Sequence, residues 1–149
     1  MHPIIPALAA ALLAAAPAWA DTSRAEQPAR PGEDTSGRIQ RGEASYYHPN
    51  LHGRPMANGE PFDSRSNSAA SRTLPLGTIA LVRNLETGQM ATVEIEDRGP
   101  YAGGRVLDVS PKTAEALGMK QDGTAPVEIA PVQVPQPDGT LKPGAGANR

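Results

Sequence analysis

Asp97 closes an alternating run, Met90-Ala91-Thr92-Val93-Glu94-Ile95-Glu96-Asp97, and is followed at once by Arg98-Gly99-Pro100-Tyr101, which no strand continues through. Ala91, Val93 and Ile95 take one face of that run, and Glu94 and Glu96 take the other. Period two therefore places Asp97 on the apolar side, at the strand's end. A carboxyl partly withdrawn from water there is suited to hold a proton and act as a general acid. Capping the turn or pairing with Arg98 would satisfy it equally. Asp108 alternates with Val106 in the run 105–109 (RVLDV) and has Arg105 or Arg98 within reach as a partner. Its expected place is a buried ion pair that helps shape a site. Glu60 ends Ala57-Asn58-Gly59-Glu60, a tight Asn-Gly turn that presents a carboxyl.

Two histidines and four aromatics complete the candidates. His48 and His52 share a loop with Pro49, Asn50 and Gly53. Their i, i+4 spacing serves a metal only on a helix, and Pro49 and Gly53 oppose one, so no metal site is expected. Tyr46, Tyr47, Phe62 and Tyr101 are the aromatics that follow Trp19. Sugar rings present flat apolar faces that stack on aromatics, which makes Tyr47 and Tyr101 candidate platforms and leaves Phe62 for the core.

The elements that must position these groups are mostly strands. Residues 45–47 begin the first, 78–83 (TIALVR) and 90–96 (MATVEIE) flank a hairpin signal at 85–88, and 105–109 and 126–132 (PVEIAPV) supply two more. One helix is marked at both ends, with Ser110 as N-cap, Pro111 in its first turn and Gly118 as its stop. A second short helix is expected over residues 68–72. Several short strands with one or two helices suggest a mainly β, compact barrel.

Composition sets the limits. The 149-residue chain is 38% hydrophobic, but 16 of its first 20 residues are apolar and none of those 20 is charged. Residues 1–20 read as a secretory signal peptide: the apolar run is too short to span a bilayer and ends in Pro17-Ala18-Trp19-Ala20, a small-x-small cleavage pattern. The remainder is apolar-poor and carries most of the 16 prolines and all 15 glycines, so it can hold one modest core. Residues 21–41 read as a flexible leader, 42–131 as the folded domain and 132–149 as a disordered Pro/Gly-rich tail. Cysteine is absent, which removes disulfides, thiolate chemistry and a lipid anchor on Cys. A net charge of −2 with mixed signs offers no basic stripe for nucleic acid. The expectation is a monomer, periplasmic or secreted, with neither cofactor nor membrane anchor.

Read together, residues 42–47 (GEASYY), 52–54 (HGR), 57–60 (ANGE), Ala69-Ala70, 74–78 (LPLGT), 97–100 (DRGP), 104–110 (GRVLDVS) and 116–119 (ALGM) resemble the rare lipoprotein A family of double-psi β-barrel proteins. The resemblance implies a six-stranded double-psi barrel with a glycan groove across its mouth. It also implies a periplasmic lytic transglycosylase that cuts peptidoglycan strands, preferring those stripped of stem peptides, and leaves 1,6-anhydromuramic acid ends. Carried over by position, Asp97 is the acid and Glu60 the second functional carboxylate. Tyr47, His52, Arg54, Asn58, Ser71, Arg98, Tyr101 and Asp108 are the implied substrate-binding set. Two departures bear on catalysis. Ser71 stands where the family has His in a TAAH-like segment, and serine cannot titrate near neutral pH as imidazole does. Met56 replaces the Thr that usually precedes ANG. The lost His keeps a second reading in play, a non-catalytic, expansin-like glycan-binding module.

Overall fold

A computed structural model describes residues 24–148. The expected signal peptide, residues 1–20, lies outside the described residues. Among the described residues, seven strands and one α-helix form in the order β1 (Gln40–Tyr46), β2 (Ser68–Ala70), β3 (Ile79–Asn84), β4 (Met90–Asp97), β5 (Arg105–Val109), α1 (Pro111–Ala116), β6 (Ala125–Pro135) and β7 (Leu141–Pro143). The sheet order is β1-β5-β2-β4-β3-β6, and a β1–β6 pairing closes it into a six-stranded barrel, as the motifs implied. Two pairs, β1/β5 and β2/β4, are parallel and the others antiparallel.

Alternation along the strands builds the core. Ala44, Val82, Val93, Ile95, Leu107, Val109, Val127 and Ile129 point inward and are fully buried. Leu117, just past α1, closes one end of the same cluster. Truncating a buried leucine of this kind to alanine costs about 2–5 kcal/mol, transfer and cavity terms together. The helix has the ends the sequence marks: Ser110 accepts a hydrogen bond from the Thr113 N–H at 3.1 Å, Pro111 opens the first turn, and Gly118 ends it at φ +70°.

Three expectations are corrected. Residues 68–70 are strand, not helix. β2 pairs with β4 on one side and β5 on the other, so the barrel cannot close without it, and this pairing outweighs the weak local preference of small residues. The tail is ordered through residue 148. β6 continues to Pro135, β7 pairs with it antiparallel, and a 3-10 turn over Ala145–Asn148 packs on β6. Its glycines serve close approach: a Cβ on Gly146 would collide with the Ala130 carbonyl. The leader is likewise anchored from residue 24, where Arg24 bridges Thr140, and Ala29 is buried. No helix among the described residues is long and apolar enough to cross a membrane.

Candidate active site

β4 ends in an irregularity that sets up the site. Ala69 lies opposite Ile95 and Ala70 opposite Asp97, so Glu96 is an extra residue on the β4 side of the pairing. A bulge of this kind breaks strict alternation and re-aims side chains next to functional sites. Here Glu96 and Asp97 are both half-buried, and each gathers its own partners.

Asp97 accepts three hydrogen bonds. Its Oδ1 takes the backbone N–H of Ala57 at 2.8 Å and that of Arg98 at 2.9 Å, and its Oδ2 takes the Tyr47 hydroxyl at 2.6 Å. Backbone N–H groups can only donate, so Oδ1 is fully used as an acceptor. Oδ2 is the oxygen left to exchange a proton with a ligand. Tyr47 is a firm donor to it: burial, then the Asp97 hydrogen bond and charge, push its phenol well above the ordinary tyrosine pKa. The residue is 8% exposed, and its ring stacks on Phe62 with centroids 4.2 Å apart. Tyr47 is thus no sugar platform; its role is to aim its hydroxyl at Asp97. Tyr47, Phe62, Met56 and Ala70 form a second small apolar cluster, so Met56, at the family's Thr position, contributes packing beneath the site.

Residues 53–62 fold back on themselves as a small hairpin. Gly53 N–H donates to the Phe62 carbonyl and Phe62 N–H to that of Arg54, both at 2.7 Å, and Met56 N–H donates to the Glu60 carbonyl at 2.8 Å. The tip is tied to the end of β4. Ala57 N–H reaches Asp97, Asn58 N–H reaches the Glu96 carbonyl at 3.1 Å, and Asn58 Nδ2 reaches Glu96 Oε2 at 2.9 Å. Ser68 Oγ donates to the other oxygen of Glu96 at 2.6 Å. Asn58, expected to bind substrate, is therefore a fastener, because its Oδ1 also accepts the Glu60 N–H at 2.9 Å. Glu60 itself is exposed and lines a pocket of about 100 Å³ with Asn58, Glu94, Glu96 and Glu26. Burial, then the charges of Glu96 and Glu26, hold the Glu94 carboxyl above its ordinary pKa.

The other expected residues divide between exposed and buried positions. Tyr101 is 78% exposed and available to stack. His52 is exposed, and its Nδ1 accepts the Ser64 N–H at 3.1 Å. Arg54 is exposed at the base of the hairpin. Ser71 is buried: its hydroxyl accepts the N–H groups of Thr73 at 3.2 Å and Leu74 at 3.0 Å, capping a turn, while its own N–H donates to the Asp97 carbonyl at 3.1 Å. The Arg98 guanidinium is taken up by protein partners, donating to the carbonyls of Ser71 at 3.0 Å and Leu74 at 2.8 Å and to Glu33. The ion pair expected at Asp108 is replaced by a hydrogen bond from the Ser45 hydroxyl, and Arg105 pairs with Glu43 at 3.9 Å. Burial holds the Asp108 carboxyl above its ordinary pKa, against the Ser45 bond and the Arg105 charge. Glu96, Ser68 and Ser45 escaped the sequence reading, because no pattern in a single chain reveals a bulge or a cross-strand hydroxyl. Among the described residues, no group of three or more His, Asp or Glu side chains converges as metal ligands do.

Comparison with known proteins identifies the family. Residues 39–129 match the family model described as lytic transglycolase. The chain is 49% identical over 96 residues to a probable endolytic peptidoglycan transglycosylase RlpA of Synechocystis, covering 64% of this chain and 30% of that protein. It is 37% identical over 105 residues to the endolytic peptidoglycan transglycosylase RlpA of Vibrio cholerae, covering 70% of this chain and 40% of that one. It thus spans well under half the length of these relatives. Among solved structures, the Streptomyces papain inhibitor shares the fold, with a TM-score of 0.50 at 20% identity over 64% of this chain and 94% of that one. With the match covering most of the described barrel, the chain belongs to the RlpA-like double-psi β-barrel family of lytic transglycolases.

Proposed function

We propose that this protein is a lytic transglycosylase acting outside the cytoplasm on peptidoglycan glycan strands. The observation that carries the reading is the Asp97 carboxyl, whose Oδ1 is saturated by two backbone N–H groups while its Oδ2, among the described residues, takes only the Tyr47 hydroxyl. In the reaction, Asp97 Oδ2 gives its proton to the glycosidic oxygen as the bond from the muramic acid C1 breaks. The carboxylate left behind is held by three donors already in place, which favours the transfer without reorganisation. The muramic acid 6-hydroxyl then bonds to C1, and Glu60 accepts the proton that the hydroxyl gives up. Positive charge developing at the sugar ring is favoured by nearby carboxylates, and Glu94 and Glu96 line the same pocket as Glu60. Tyr101 supplies the exposed aromatic face on which a sugar ring stacks.

Release of soluble glycan from amidase-treated sacculi tests the reading. Wild type is expected to release it, and Asp97→Asn to sediment with sacculi as wild type does while releasing none. Sedimentation without release by wild type would favour the glycan-binding module, for which the turn-capping role of Ser71 is the specific observation.

A further inference from the structure

The segment ahead of the barrel lies outside the family-matched span, yet it reaches the residue next to Asp97. It is fixed at two places. Ala25 N–H donates to the Gly139 carbonyl at 2.8 Å and Ala29 N–H to that of Gln136 at 3.1 Å, tying it to the β6–β7 turn. Asp34 N–H donates to the Thr73 carbonyl at 2.7 Å, tying it to the turn that Ser71 caps. The Asp34 carboxylate takes Ser36 and Gln40, and Gln40 Nε2 also reaches Thr73 Oγ1 at 3.2 Å. Between these anchors Glu33, with its side chain only 10% exposed, meets the Arg98 guanidinium.

Arg98 follows Asp97 directly in the chain. A guanidinium free to turn towards that neighbour would pair with the carboxylate and favour its ionised form, opposing proton donation. Instead Arg98 is occupied on the far side by two carbonyls and Glu33. We propose that Glu33 is a positioning residue: the 24–37 strap holds Arg98 against the Ser71–Leu74 turn and so keeps the Asp97 Oδ2 free for its proton and the substrate. The proposal rests on the reading of Asp97 as the acid. The other charged or titratable groups around this pair are Arg30 from the strap, Tyr47 and Tyr101, Glu96 from β4 and Asp108 from β5.

The test compares wild type, Glu33→Ala and Glu33→Ala/Arg98→Met as purified proteins. Glu33→Ala is expected to lower kcat about tenfold at neutral pH with KM unchanged and to move the pH–activity profile about one unit towards acid. The double variant is expected to return the profile to its wild-type position, since no guanidinium remains to compete. A wild-type profile for Glu33→Ala, or a double variant as displaced as the single one, would overturn the proposal. Nitrogen-15 NMR of the Arg98 side chain reads the clamp without turnover or the double variant. Slowly exchanging guanidinium protons in wild type that are lost in Glu33→Ala support it, and equal protection in both overturns it. Wild type that releases no glycan refutes the acid reading alone, and the NMR comparison still decides the clamp.

Discussion

Tyr47 donates its hydroxyl to Asp97 Oδ2 at 2.6 Å, across 50 residues of sequence. The tyrosine directly follows β1, its N–H pinned to the Val109 carbonyl at 2.9 Å, and the aspartate is the last residue of β4. The barrel brings these two ends together, and the stack on Phe62 sets the ring's direction.

Tyr47→Phe removes that donor and keeps the stack. Hydrogen bonds to charged groups contribute about 1.5–3 kcal/mol, so stability is expected to fall by up to about that amount. Glycan release is expected to fall on the order of tenfold or more, because the carboxylate produced by proton transfer loses one of its three donors. Thermal unfolding and release rates measured on one preparation separate the two effects. Full activity in Tyr47→Phe would refute a role for this contact in the reaction.

Ser71→His puts back the side chain that the family resemblance implies, and is expected to harm. Ser71 is 1% exposed, and its hydroxyl holds two backbone N–H groups. An imidazole there overpacks the turn and displaces that cap, at a cost of about 1–3 kcal/mol. Denaturant titration should show the loss, with no gain in release. A stable, faster Ser71→His protein would show that the turn accommodates the ring.

Asn58→Ala loosens the hairpin tip without touching either carboxylate of the proposed reaction. Asn58 bonds to Glu96 through both its backbone and its side chain and accepts the Glu60 N–H. Losing its side chain releases the Glu60 N–H and leaves the Glu96 carboxylate with Ser68 alone, while the Asn58 N–H still reaches the Glu96 carbonyl. Release is expected to drop several-fold, with a stability loss of about 1 kcal/mol. Unchanged kcat would mean that the placement of Glu60 does not matter.

Asp108→Asn changes stability in a pH-dependent way. Burial raises the folded-state pKa of Asp108 above its unfolded value, more than Ser45 and Arg105 lower it. Between those two values the folded state holds more protons than the unfolded state, so stability falls as pH rises through that window. The asparagine removes this loss and still accepts the Ser45 hydroxyl. Its Tm should therefore exceed that of wild type at about pH 7, with the difference closing towards about pH 3, where the aspartate is neutral too. A Tm difference independent of pH would contradict the burial argument.

Much of this was legible in the sequence because it lies in short-range patterns. Alternation placed Val93 and Ile95 in the core, and Ser110, Pro111 and Gly118 marked α1. What was not legible depends on partners far along the chain. Residues 68–70 become strand only because β4 and β5 leave a gap between them. Tyr47 turns inward because Phe62 and Met56 pack beneath it, which composition alone does not reveal. The resemblance carried by residues 57–60 and 97–100 implies substrate binding by Asn58 and Arg98. Their acceptors, Glu96 and Glu33, come from the strand bulge and from a segment whose composition resembles a linker.

The most direct test of the account is the chemical identity of the new glycan ends. The purified protein is incubated with peptide-free glycan in oxygen-18 water, and the products are weighed by mass spectrometry. Attack by the sugar's own 6-hydroxyl predicts anhydromuramic ends with no oxygen-18, absent in Asp97→Asn. New reducing ends in place of anhydromuramic ends, each heavier by one water, would show that water attacks C1 and would contradict the account.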